Sequence, residues 1–233
     1  MRSREFTDEA IIKIPQIDFE ADDNNLPTGK KLKQYLAQSR RLTDQLVYTV
    51  DKTGAWYGSG IDMFIFKEGQ TVGWINVYPV LDWPTQPAYT VPSIMVRTAA
   101  RGQGISKLLY QLVFTELKGC ILAGEQQTPG GRRNWVALNS TPGVRVYGWA
   151  SLDQKYLQRM KKWEVQDKFN ANLEKNGAKL LGNARGQDFY IFPVAAERNI
   201  LEPLITKTFK LYQPNPYNSD SYVHTGLVAY SNN

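Results

Sequence analysis

The stretch Val96-Arg97-Thr98-Ala99-Ala100-Arg101-Gly102-Gln103-Gly104-Ile105-Ser106-Lys107-Leu108-Leu109 decides how the whole chain reads. It falls between an apolar, alternating segment and a run in which Ile105, Leu108, Leu109, Leu112 and Val113 recur at the i, i+3, i+4, i+7, i+8 spacing of one helical face. A strand therefore runs through a glycine-bearing turn into an amphipathic helix over about 104–117. Backbone N–H groups at such a helix start have no intrahelical acceptor, and the helix dipole adds partial positive charge there. The missing Cβ atoms of Gly102 and Gly104 let an anion approach closely. Arg101 and Lys107 add charge-assisted donors, so a pyrophosphate fits.

Upstream, the pattern is β throughout. Met63–Phe66, a Lys67-Glu68-Gly69-Gln70 turn, Thr71–Val80, a proline-bearing loop and Tyr89–Arg97 read as a three-stranded antiparallel meander. Residues 10–14 and Leu46–Val50 read as further strands. Thr28 is placed to cap a short helix whose apolar face is Leu32, Tyr35 and Leu36. Downstream of the helix, Cys120–Gly124 reads as a fourth strand, Thr128–Gly131 opens a short helix carrying Arg132, Arg133 and Trp135, and Val144–Trp149 reads as a strand.

Arg101-Gly102-Gln103-Gly104-Ile105-Ser106, in this setting, resembles the Arg/Gln-x-x-Gly-x-Gly/Ala signature of the GCN5-related N-acetyltransferase (GNAT) family, with Ser106 where glycine or alanine is usual. The resemblance implies an α/β (α+β) fold with a mixed, mostly antiparallel twisted sheet flanked by helices. It implies a domain over about 60–195, a preceding segment 1–59 that supplies the first strand and helix, an insertion at about 126–153, and a C-terminal extension over 196–233. It also implies acetyl-CoA as co-substrate and an amine acceptor whose identity the sequence leaves open. On that pattern the backbone amides of Gln103 to Ser106, with Arg101 and Gly102, hold the pyrophosphate. The pantetheine arm adds like a strand to Ile94, Met95 and Val96.

Catalytic groups are less legible. The family's usual proton donor is a tyrosine four residues before the glycine of its last helix, and with Gly177 as that glycine the position is Leu173. Tyr147 or Tyr156 is the substitute acid, and Glu125, following the fourth strand, is the base, with Asp82 as a weaker alternative. Two functions stand open: an N-acetyltransferase, or a non-catalytic structural or interaction module. The run Glu125–Gly131 with Trp135 is similar to segments in GNAT-like proteins of bacteriophages.

Composition narrows the alternatives. With one cysteine (Cys120) and one histidine (His224), neither an internal disulfide nor a zinc site is expected. A net charge of +6, spread over short basic pairs such as Arg40-Arg41 and Lys161-Lys162, suits a phosphorylated ligand, and nucleic-acid binding is not expected. No apolar run approaches the roughly 20 residues of a membrane span, and no secretory core follows Met1-Arg2-Ser3-Arg4. The expected location is cytoplasmic, in the host cytoplasm or the virion if phage-encoded. The tyrosine- and asparagine-rich tail after Tyr212 either wraps its own domain or docks on a partner subunit, including a second copy.

Overall fold

The computed structural model describes residues 26–54, 60–85, 87–123, 129–152, 158, 161, 163–175, 177–193 and 223–231. Its elements, in chain order, are α1 (Gly29–Ala37), β1 (Arg40–Arg41), β2 (Leu46–Asp51), β3 (Ile61–Lys67), β4 (Gln70–Val80), β5 (Ala88–Val96), a 3-10 turn (Thr98–Ala100) and α2 (Ile105–Leu117). There follow β6 (Cys120–Leu122), α3 (Pro129–Asn139), β7 (Val144–Leu152), α4 (Trp163–Lys175), β8 (Lys179–Ala184), β9 (Gln187–Pro193) and β10 (Val223–Ser231). The strands form one sheet in the order β1-β2-β3-β4-β5-β6-β10-β7-β9-β8. Every pairing is antiparallel except β5 with β6. This is the mixed, mostly antiparallel sheet flanked by helices that the sequence implies.

Period-2 alternation sends β3 to two cores at once. Met63 and Ile65 join Ile105, Leu109, Leu112 and Val113 of α2 on one face. Phe64 and Phe66 join Leu26, Tyr35 and Trp74 under α1 on the other, with the Tyr35 and Phe64 rings stacked at 4.6 Å. α2 lies close against β4 because Gly73 has no side chain: a Cβ there would come within 2.5 Å of Ile105 Cγ2 and 3.2 Å of Leu109 Cδ1.

The segment 126–153, read above as an insertion, supplies α3 and β7, and β7 lies between β10 and β9 in the sheet. Within 196–233, read above as an extension, the described residues 223–231 form β10. β10 threads between β6 and β7, pairing Val228 with both Leu122 and Tyr147. Leu227, Val228 and Ala229 are buried. The reason is non-local: three consecutive apolar residues make a poor strand alone but fill a slot with partners on both edges. Residues 223–231 are therefore part of the sheet. The strand read at 10–14 lies outside the described residues, as does Tyr156.

Leu227 is 3 % exposed, so Leu227→Ala is expected to cost about 2–5 kcal/mol of unfolding free energy, the value for a core leucine. Urea denaturation reads this out, and a loss under about 0.5 kcal/mol would return the segment to the status of a tail.

Candidate functional site

The turn after β5 is anchored first. Arg97 donates its backbone N–H to Val72 O (3.0 Å) and its Nε to Thr71 O (2.9 Å), tying the start of the loop to β4. After the 3-10 turn the chain passes Gly102 and Gly104 with φ of 78° and 77°, left-handed values that side-chain-bearing residues resist. No atom lies within 4 Å of a Cβ added at either glycine, so backbone conformation, not crowding, calls for glycine, and the surface above them is open.

Gly104 is the N-cap of α2, with no side-chain cap and no acidic residue in the first turn. The first intrahelical bond is Leu108 N–H to Gly104 O, so the N–H groups of Ile105, Ser106 and Lys107 precede the ladder. The N–H of Gln103 turns inward to Ala100 O (3.4 Å), and its side chain donates to Ala99 O (3.0 Å). The N–H groups left over at the helix start are thus those of Ile105, Ser106 and Lys107. Arg101 is exposed beside it, its Nε reaching Val96 O at the end of β5 (3.3 Å).

The second feature is the parting of β5 from β6. The two pair in parallel only over Ala88↔Cys120, Tyr89↔Ile121 and Thr90↔Leu122. There β5 bulges: Asn76 faces Ser93 and Tyr78 faces Thr90, so Val91 and Pro92 together oppose the single Val77. A bulge bends its strand, and Pro92 has no N–H to give to a ladder. On the other side, Ala123 N–H donates to Leu227 O (2.9 Å), turning β6 toward β10. Among the described residues, Val91–Val96 hence keep β4 on one side and face no strand on the other. Ile94, Met95 and Val96 lie on this stretch and lead toward the start of α2. The side chain of Met95 is buried under α1, whereas Ile94 and Val96 pack toward α2.

The structure does not bring all the sequence-picked residues here. Glu125 lies outside the described residues. Tyr147 is level with the point of parting, through the row Thr90↔Leu122↔Val228↔Tyr147. It nevertheless stands three strand spacings, roughly 14 Å, from β5. Its ring packs edge-on to Tyr230 at 6.0 Å. Asp82 pairs with Arg185 (2.5 Å), which occupies it. Leu173 is buried on α4, which leads into β8 at the far edge of the sheet, four strands from β6.

Sequence reading missed two polar groups. Tyr230, on β10, accepts a bond from Trp83 Nε1 (3.2 Å), and burial, followed by the neighbouring Cys120, pushes its pKa up to about 12. A polar row, Asp51↔Asp62↔Asn76↔Ser93, crosses the sheet, buried at its first three members and ending at half-buried Ser93 on β5. Asp62 Oδ1 accepts from Trp74 Nε1 (2.9 Å) and Asn76 Nδ2 (2.8 Å), and Asp51 Oδ2 accepts from the Tyr35 hydroxyl (2.7 Å). Nothing in the local pattern separates these from solvent-facing polar residues of a strand. Tyr35 of α1 reaches the row at Asp51.

No known protein family matches the sequence, and no curated protein does. Among solved structures, the chain is similar to an aminoglycoside acetyltransferase from an uncultured soil metagenomic sample: 19% identity, 52% of this chain and 70% of that chain covered, TM-score 0.29. It is similar to the ribosomal-protein-alanine N-acetyltransferase of Brucella melitensis: 20% identity, 57% and 68% covered, TM-score 0.26. A GNAT-family protein of Bacteroides thetaiotaomicron gives 14% identity, 65% and 70% covered, and a TM-score of 0.28. Likenesses at these identities and TM-scores carry no argument about activity. Among the described residues no group of three His, Cys, Asp or Glu is placed to hold a metal, and no helix is long and apolar enough to cross a membrane.

Two outcomes test this geometry. Gly104→Ala is expected to lower unfolding free energy by about 1 kcal/mol through left-handed strain alone, and an unchanged denaturation midpoint would refute the assigned turn. Burial raises the pKa of Asp51, but bonds from Thr53 and Tyr35 and the charge of Lys31 hold it below the ordinary carboxylate value. Its stabilising contribution is complete above the unfolded pKa of about 4 and is lost as pH falls through the lower folded value. Asp51→Asn is expected to flatten the acid limb of stability against pH, and an acid limb as steep as wild type would contradict the assignment.

Proposed function

We propose that this chain is an acyl-CoA-dependent N-acetyltransferase of the GNAT type, taking acetyl from acetyl-CoA to an amine. The observation that carries this reading is the continuity of two features: a strand edge at Val91–Val96 that faces no strand among the described residues, and the uncapped helix start at Gly104 into which it runs. The ligand suited to both is long and thin, with amide groups to pair with a strand edge and phosphates to sit on helix N–H groups.

Acetyl-CoA has that form, and the residues present fit it. Gly102 and Gly104 leave the approach open, and Ile105, Ser106 and Lys107 direct N–H groups outward with Arg101 alongside. Ile94, Met95 and Val96 offer main-chain groups to the pantetheine arm. When bound, acetyl-CoA supplies an acyl group already activated as a thioester. The chain's part is to hold it at the parting of β5 and β6, shield it between the two helix-covered faces, and remove a proton from the amine. Glu125 follows β6 in sequence, and we assign it the base. Tyr147 packs on Tyr230 away from this point, which favours a structural part for it over the acid role.

Calorimetry of acetyl-CoA on the purified chain tests the reading. Micromolar-class binding is expected, with Gly104→Asp weakening it at least about tenfold by setting a carboxylate against the phosphates. Affinity retained in Gly104→Asp removes the seat from consideration. Turnover with a panel of amines is expected to fall in Glu125→Gln through kcat with KM unchanged, and to persist in Tyr147→Phe. Binding without turnover on any amine would make the chain a non-catalytic acyl-CoA module.

A further inference from the structure

Beside the point where β5 and β6 part lies a cavity of about 340 Å³ between the β4–β5 turn and the first residues of β5, lined by Val80, Leu81, Trp83, Pro87, Ala88 and Tyr89. That volume is at the lower end of the range for small-molecule pockets. Its lining carries no charged side chain. Ala88 and Tyr89 are the two residues immediately before Thr90, the last residue of β5 paired to β6, so the cavity begins about 7 Å or less from the end of the open edge.

A chain running down that edge from the start of α2 cannot continue in the plane of the sheet, because Ala88–Thr90 are bonded to Cys120–Leu122. It has to leave through one face. Toward α2 the way is filled, with Ile121, Leu112 and Val113 buried and Tyr89 and Val91 packed against them. On the opposite face Ala88 is buried in a layer with Trp83, Leu122 and Phe189, but its side chain is only a methyl, and at the margin of that layer by Val80 and Leu81 the cavity opens. Leu81 at its rim is 83 % exposed.

We propose that this cavity receives the hydrocarbon tail of an acyl donor longer than acetyl, so that the donor class extends to medium-chain acyl-CoA. The assignment rests on the acyl-CoA reading above and adds to it where the acyl group goes. A tail turned out past Thr90 exchanges water for Val80, Trp83, Pro87 and Leu81, and each methylene so buried strengthens binding.

The test compares CoA, acetyl-CoA and octanoyl-CoA by calorimetry on the full chain and on Leu81→Asp, an exposed-turn substitution that leaves the core untouched. Octanoyl-CoA is expected to bind the wild-type chain at least about tenfold more tightly than CoA, with acetyl-CoA close to CoA. In Leu81→Asp the octanoyl advantage is expected to shrink to about twofold or less while CoA affinity stays unchanged. Equal affinity of octanoyl-CoA and CoA for wild type, or an advantage kept in Leu81→Asp, overturns the proposal and leaves the acyl-CoA reading standing. If octylamine instead binds the CoA-loaded chain in a Leu81-dependent way and octanoyl-CoA gains nothing, the cavity belongs to the acceptor and the acyl assignment falls. Absence of CoA binding altogether overturns the acyl-CoA reading itself, and this inference with it.

Discussion

The candidate site depends on two neighbouring parallel strands being prevented from zipping together. β5 and β6 begin as a regular pair, and an unhindered pair would go on exchanging hydrogen bonds past Thr90 and Leu122. The bulge of Val91 and Pro92 against Val77 bends β5 where the pairing ends, while β6 continues its ladder with β10 on its other edge through Ala123 N–H to Leu227 O. A backbone edge left open in this way is an unsatisfied surface that a ligand can complete.

Support for the open edge comes from both faces. On one, Gly73 lets α2 press its Ile105 and Leu109 onto β4, which sets the helix start at the end of β5. On the other, α1 covers Phe64, Phe66, Trp74 and Met95. Buried polar side chains, Asp62 with Asn76 and Trp74, fix the β3–β4 register one residue from where the bulge begins. Buried carboxylates are costly unless hydrogen-bonded, and a register slip would break these bonds as a set.

The far half of the sheet has its own apolar layer, in which Trp83 from the β4–β5 turn lies edge-on to Trp149 (5.6 Å) and Phe189 (5.4 Å). The Asp82–Arg185 pair and the approach of Pro84 to Gly182 join that turn to the β8–β9 hairpin. A turn belonging to the first half of the chain is thus held by the second half, and the cavity beneath Leu81 exists because the turn is lifted and pinned from outside rather than collapsed onto β5.

Local physics was enough for the sequence to determine the meander, the helix after it and the glycine turn between them. Alternation, 3.6-residue periodicity and the demand for left-handed backbone at Gly102 and Gly104 are all properties of neighbours in the chain. Pro92 inside an otherwise good strand was a visible sign of the bulge. Tertiary structure alone decided the rest. Leu227-Val228-Ala229 is a weak strand signal in a polar tail, and it becomes an interior strand only because β6 and β7 hold a slot of matching length and hydrogen-bonding pattern. Tyr147 packs edge-on to Tyr230, a residue 83 positions later whose arrival no local pattern announces. Asp62 and Asn76 read as the polar side of a strand and are wholly buried in the fold. Each of these outcomes turns on contacts between segments far apart in sequence, where the energy lies in what covers a residue rather than in what precedes or follows it.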